Sequence, residues 1–229
     1  MSNNLSKSQS KLYMVSLGAG DAELVTIKAL NALKNSDVIC IPTKSKDSTF
    51  DKSITYKIVQ ELFKQFDFEK EIIPVYTPMK FKEDDWQRQV DILVNASEKY
   101  NNVSFVTLGD AGVYSTVYYL LDIIKQQNIE LYNNIKVCEG ITSFSHASAK
   151  LKKPLCVGDS SLKIIPLIDR ELKNTTVYMR PVKGLDTSVI QEKGDIYTFE
   201  NLNMTGENIT QGKKKIVEKY MTLFIDFYK

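Results

Sequence analysis

The sequence predicts a two-part α/β protein: a mainly parallel N-terminal sheet with flanking helices, then a C-terminal sheet that is mixed or antiparallel. Three observations predict it. Strand-length apolar runs alternate with amphipathic stretches through the first two-thirds of the chain, the rhythm of a parallel sheet covered on both faces. Two of those runs end in Gly-Asp loops, Gly18-Ala19-Gly20-Asp21 and Gly109-Asp110, at the carboxyl edge where open α/β sheets hold ligands. Beyond about residue 135 strand candidates crowd together with few helices between them, which favours mixed or antiparallel pairing.

Residues 12–17 form the first apolar run and end in the first glycine loop. Leu24, Ile27, Leu30 and Leu33 then recur at helical spacing, and the helix stops near Asn35-Ser36. Residues 38–41 are a second strand, closed by Pro42. Ile54, Ile58, Leu62 and Phe66 step by four, a helix stripe. A third strand covers residues 72–75, and Trp86, Val90, Leu93 and Val94 give the next helix. Its acidic start, Glu83-Asp84-Asp85, suits the positive end of a helix. Residues 103–108 are apolar enough for a central strand, followed by a helix with Tyr114, Val117, Tyr118 and Leu121 on its apolar face. Then come a strand at 135–138, a short helix at 143–151, and strand candidates at 162–165, 176–179, 196–199 and 221–227. The expected division is a loose tail over 1–11, an N-terminal domain over 12–112 and a C-terminal domain over 113–229.

Composition excludes several functions. The 229 residues carry a formal net charge of +2, which argues against a dedicated nucleic-acid binder. Lys213-Lys214-Lys215 reads as a solvated helix face. No run of about 18 apolar residues is present, so no membrane span is expected. The polar, Ser- and Asn-rich first ten residues lack the apolar core of a signal peptide. Cys40, Cys138 and Cys156 lack C-x-x-C spacing and read as reduced thiols of a cytoplasmic protein. A single histidine, His146, leaves little for a protein-held metal site.

The loops carry the functional argument. Glycines in 18–21 permit a tight turn and close approach of a ligand to backbone N–H groups. This loop lacks G-x-G-x-x-G spacing, and no acidic residue clearly ends the second strand to hold a ribose. The second loop, residues 108–116, places a hydroxyl pair, Ser115-Thr116, at the next helix start. The third, Glu139-Gly140-Ile141-Thr142-Ser143, again sets glycine and hydroxyls after a strand. Ser and Thr are good helix N-caps, so each loop alone also reads as an ordinary helix start.

In order, however, G-x-G-D-x-x-L-x-T (with Leu24 and Thr26), G-D-x-x-x-Y-S-T and G-I-T-S resemble the tetrapyrrole (corrin/porphyrin) methylases over roughly residues 12–199. Thr142-Ser143-Phe144-Ser145, Lys153-Pro154-Leu155, residues 162–166 and Val75-Tyr76-Thr77-Pro78-Met79 are most similar to its precorrin-2 C-20 branch. The resemblance implies a two-domain fold with S-adenosylmethionine in the cleft between domains, no protein-bound metal, and a homodimer. It places cofactor contacts at Ala19, Leu108, Gly109, Asp110, Val113, Thr142, Ser143, Met179 and Tyr197. The substrate it implies is precorrin-2 or cobalt-factor II, methylated at C-20 in cobalamin biosynthesis.

The chain departs from the family pattern at four positions. Ser16 stands where Gly is usual, and Ala19, Ala111 and Glu139 stand where Pro is usual. Losing Pro costs rigidity without removing backbone contacts. Pro42 occupies the position where some related methylases have a catalytic Asp, so that assignment does not transfer. The catalytic base is not identified; Asp110 and Tyr114 are the nearest candidates. Lys44, Lys46, Lys80, Arg180 and Lys183 follow predicted strand ends and could meet the carboxylates of an anionic tetrapyrrole. Three other readings remain open: a sister methylase acting at another ring position, a dinucleotide-binding oxidoreductase, and a non-catalytic tetrapyrrole binder.

Overall fold

The computed structural model describes residues 10–51, 53–78, 82–165, 174–179, 181–202 and 204–228. The chain divides into two compact units, Met1–Leu162 and Lys163–Lys229.

In the first unit, β1 (Lys11–Ser16), β2 (Val38–Thr43), β3 (Glu71–Tyr76), β4 (Asn102–Thr107) and β5 (Ile135–Cys138) form one sheet, ordered β3-β2-β4-β1-β5. Every pairing is parallel, as the alternating pattern predicts. Period-2 alternation splits β1 between two cores: Leu12 and Met14 face one, Val15 and, beyond the strand, Leu17 the other. Helices α1 (Ile27–Asn35) and α2 (Ile54–Phe66) pack on the Val15 face. Helices α3 (Glu83–Lys99), α4 (Val117–Gln127) and α5 (Ile129–Asn133) pack on the Leu12 face. Helix α6 (Ser143–Leu151) follows β5.

Several expectations needed adjusting. The step-by-four stripe of α2 is buried only at Ile58 and Leu62, with Val59 and Phe63 completing the face, while Ile54 and Phe66 are exposed. A step of four overshoots a 3.6-residue turn by about 40°, so such a stripe drifts off the core within three steps. Pro42 lies inside β2 instead of closing it. Its position is permissive: Thr43 bonds toward β3 through its carbonyl, so residue 42 faces β4, whose pairing has already stopped at Cys40. Tyr114 precedes α4 and is 68% exposed, and Tyr118 is 50% exposed, so only Val117 and Leu121 of the expected apolar face are core. The first tail residues, 1–9, lie outside the described residues; Lys11, expected in that tail, already pairs with Asn102.

In the second unit, β6 (Thr176–Tyr178), β7 (Asp195–Glu200), β8 (Asn208–Gln211) and β9 (Thr222–Phe227) form a sheet ordered β6-β9-β7-β8, all antiparallel. Strand β8 carries too little apolar pattern to be found from sequence. The expected strand at 162–165 is irregular, exposed chain. Ile190, Ile196, Val217 and Phe224 form the small core on one face. That face also buries Glu200, whose Oε2 accepts from Lys214 at 2.9 Å and Asn208 at 3.0 Å, while Oε1 has no hydrogen-bond partner among the described residues. Lys213-Lys214-Lys215 is not helical. Lys214 pairs with Glu200, and Lys213 with Glu192 at 3.1 Å.

The units divide well beyond residue 112, the boundary expected from sequence. The reason is pairing: β5 completes the first sheet beside β1, and α4 supplies Val117, Leu120, Leu121 and Ile124 to its core. The change of rhythm near 135 marks the last strand of the first sheet, not the start of the second.

Candidate active site

Neighbouring strands β1 and β4 send the chain to opposite faces: after β1 it enters α1, after β4 it enters α4. Such a divergence opens a crevice at the carboxyl edge, the usual ligand position of open α/β sheets. The three glycine loops follow β1, β4 and β5, which are adjacent in the sheet in the order β4-β1-β5.

The loops are joined to one another. The Gly18 N–H donates to the Gly109 carbonyl at 3.1 Å, and the Gly109 N–H donates back to the Gly18 carbonyl at 2.7 Å. Gly18 sits at φ +72°, and a Cβ there would stand 2.5 Å from the Leu24 carbonyl oxygen. That position therefore demands glycine twice over. Gly140 packs as tightly: its Cβ would strike the Gly109 carbonyl oxygen and lie 2.5 Å from Ser16 Cβ. Over Gly20 and Gly109, by contrast, a Cβ would meet no atom of the described residues within 4 Å, which leaves that side of the backbone uncovered.

The polar residues of the motifs serve the turns. Asp21 accepts from the Glu23 N–H at 2.9 Å. Thr26 caps α1 through the Ala29 N–H at 3.2 Å, and its hydroxyl donates to the Glu139 carbonyl at 3.3 Å. The first motif thus reaches the third loop. Asp110 Oδ1 accepts from the Gly112 N–H at 2.7 Å. Ser115, one residue before the α4 N-cap Thr116, accepts from the Val117 N–H at 3.3 Å. Thr142 caps α6 through the Ser145 N–H at 3.3 Å.

Ala19, Gly109, Asp110, Val113 and Thr142 are half-buried, and Leu108 and Ser143 exposed, all in these loops or at the start of α6. Tyr114 holds a left-handed φ of +50°. In the second unit, Tyr197 lies on β7 and Met179 directly follows β6. Alternation puts both on the face opposite the Phe224 core, with Val177, Phe199 and Ile225. Lys44, Lys46 and Lys183 are exposed in loops; Lys80 and Arg180 lie outside the described residues, as does Met79. Cys40 and Cys138 are buried free thiols and Cys156 an exposed one; burial pushes the Cys40 thiol up to about 12.

The interactions of Ser16, Lys28, Glu139 and Tyr118 were not read from sequence. Ser16, fully buried, accepts the Ala111 N–H at 2.9 Å. Lys28 pairs with Glu139 at 2.8 Å. Burial would raise the Glu139 carboxyl, but the Lys28 ammonium and a backbone N–H outweigh it and hold it below its usual range. Tyr118 is raised by burial and then by the Asp110 carboxylate. Ser16 and Glu139 were visible as departures from a pattern; Lys28 gave no signal, since only the sheet order brings α1 to β5.

A five-stranded parallel sheet with interlocked glycine loops at its switch point is the arrangement in which open α/β proteins hold ligands. The description Tetrapyrrole (Corrin/Porphyrin) Methylases matches residues 11–212. The chain belongs to that family. A relative from Methanocaldococcus jannaschii, named "probable cobalt-precorrin-2 C(20)-methyltransferase", is 30% identical over 218 residues, 91% of this chain and 90% of the relative. The cobalt-precorrin-2 C(20)-methyltransferase of Salmonella typhimurium is 30% identical over 159 residues, 68% of this chain and 62% of that protein. Among solved structures, a cobalamin synthesis related protein (CobF) from Corynebacterium diphtheriae aligns with a TM-score of 0.54 at 16% identity, covering 95% of this chain and 98% of that one. A cobalt precorrin-4 methyltransferase, CbiF, aligns with a TM-score of 0.51 at 16% identity, covering 94% and 93%. These two likenesses bear on the fold.

Proposed function

We infer that this chain is a cytoplasmic, homodimeric S-adenosylmethionine-dependent C-methyltransferase that acts at C-20 of precorrin-2 or cobalt-factor II in cobalamin biosynthesis. The observation that carries the reading is the interlock of the Gly18, Gly109 and Gly140 loops, with open backbone over Gly20 and Gly109. The names of the M. jannaschii and S. typhimurium relatives support the ring position. Among the described residues, no helix is long and apolar enough to cross a membrane.

S-adenosylmethionine, when bound, supplies an electrophilic methyl on a sulfonium. The work of the chain is to place a nucleophilic meso carbon in line with it; orientation of this kind can lower a barrier by up to roughly 7–11 kcal/mol. Ala19, Leu108, Gly109 and Asp110, with Val113, Thr142 and Ser143, hold the donor in this reading. Met179 and Tyr197 complete the donor contacts in this reading. Lys44, Lys46 and Lys183, joined by Lys80 and Arg180, meet the carboxylate arms of the substrate. Asp110 accepts or relays the departing proton, with Tyr114, four residues on, as the second candidate. Any cobalt arrives within the substrate macrocycle.

The test is incubation with each tetrapyrrole and methyl-labelled cofactor, followed by NMR location of the new methyl. Label at C-20 is expected. Label at another ring carbon would reassign the chain to a sister activity, and no binding of S-adenosylmethionine at micromolar concentration would overturn the reading.

A further inference from the structure

We propose that Ser16 is a positioning residue for the second Gly-Asp turn, and that it forms with Ala111 one exchangeable unit in which a hydrogen bond replaces a proline. The proposal rests on the reading that this turn holds S-adenosylmethionine.

The Val113 N–H donates to the Asp110 carbonyl at 3.2 Å, closing a four-residue turn over residues 110–113. Neither Ala111 nor Gly112 is at positive φ, which excludes the type II and primed geometries and leaves type I for a turn closed by this hydrogen bond. Ala111 then occupies the second position, where φ is near −60° and proline is favoured. The N–H of that position takes no part in the turn's own hydrogen bond. Here it is buried, Ala111 being 1% exposed, and its acceptor is the fully buried Ser16 hydroxyl at 2.9 Å.

Two consequences follow from that geometry. Without the hydroxyl, a buried N–H is left unpaired, and the turn can satisfy it only by shifting toward solvent. With proline at 111 and serine kept at 16, the ring Cδ projects about 1.5 Å from nitrogen along the former N–H direction, into the space of the Ser16 oxygen. Serine with alanine is compatible, and so is glycine with proline; each crossed combination conflicts. Positions 16 and 111 of this chain are therefore coupled, and a change at one calls for a matching change at the other. Because Ser16 Cβ also abuts Gly140 and the turn adjoins Gly109, a shift of the turn displaces the open backbone of the site itself.

The experiment compares wild type, Ser16→Gly, Ala111→Pro and the double variant for S-adenosylmethionine Kd by calorimetry, with thermal midpoints measured in parallel. Each single variant should weaken binding about tenfold, and the double variant should return to within about threefold of wild type. A double variant that binds no better than Ser16→Gly overturns the proposal. So does a fall in midpoint with Kd unchanged, which would make the contact structural only. If Ala111→Pro does not fold, the comparison of Ser16→Gly with the double variant decides alone. Failure of wild type to bind S-adenosylmethionine would instead remove the functional reading, and this proposal with it.

Discussion

Replacing Gly140 with alanine tests whether the three loops are one packed body. The added methyl would strike the Gly109 carbonyl oxygen and lie 2.5 Å from Ser16 Cβ. Neither neighbour is the free end of a flexible side chain: one is backbone, the other a Cβ at the end of a central strand. Relief therefore requires β5 to move away from β1 or the Gly109 peptide to rotate, and the latter strains the paired bonds to Gly18. Overpacking of this kind costs about 1–3 kcal/mol, which lowers the thermal midpoint by roughly 2–12 °C for a chain of this size. The same displacement should weaken S-adenosylmethionine binding at least about tenfold. Differential scanning fluorimetry with and without cofactor reads both effects. Wild-type midpoint together with wild-type affinity would refute the claim that Gly140, Gly109 and Ser16 are in mutual contact.

Other outcomes follow from single contacts. Thr142→Ala removes the α6 cap and should cost about 1 kcal/mol; Thr142→Ser should restore both stability, by urea titration, and cofactor affinity. Asp110→Asn keeps an oxygen for the Gly112 N–H, so cofactor Kd should hold while kcat falls about a hundredfold; an unchanged kcat assigns Asp110 to the turn alone. Lys28→Ala breaks an ion pair whose side chains are 56% and 69% exposed, so urea titration should show a change of less than about 1 kcal/mol. Glu200 is lowered below the usual carboxylate range: burial would raise it, but Lys214, Asn208 and Lys219 outweigh that. The stability it contributes is thus full above the ordinary carboxylate range and lost as pH falls through the lowered value. Unfolding midpoints from pH 7 to pH 3 should fall more steeply in wild type than in Glu200→Gln; equal slopes would remove Glu200 as a source of acid sensitivity.

The first sheet was legible because both of its faces are covered, so strands such as residues 38–41 are unbroken apolar runs. The second sheet was less so: β8, with Asn208, Thr210 and Gln211, owes its strand state to pairing with β7, which no local pattern encodes. Glycine positions in the site were legible as motif, but their reasons were not. Nothing near Gly140 in the sequence says that Gly109 and Ser16 will approach it; that depends on strand order. Tyr118 was misplaced for a related reason, since helical spacing shows which residues share a stripe but not where along the helix the neighbouring layer ends.

The reciprocal bonds between Gly18 and Gly109 pair two residues in antiparallel sense at the end of two parallel strands. A clasp of that kind has a kinetic consequence. Neither loop can swing as an independent flap, because parting them breaks both bonds together. A ligand held at this edge therefore meets the two loops as a single fixed jaw.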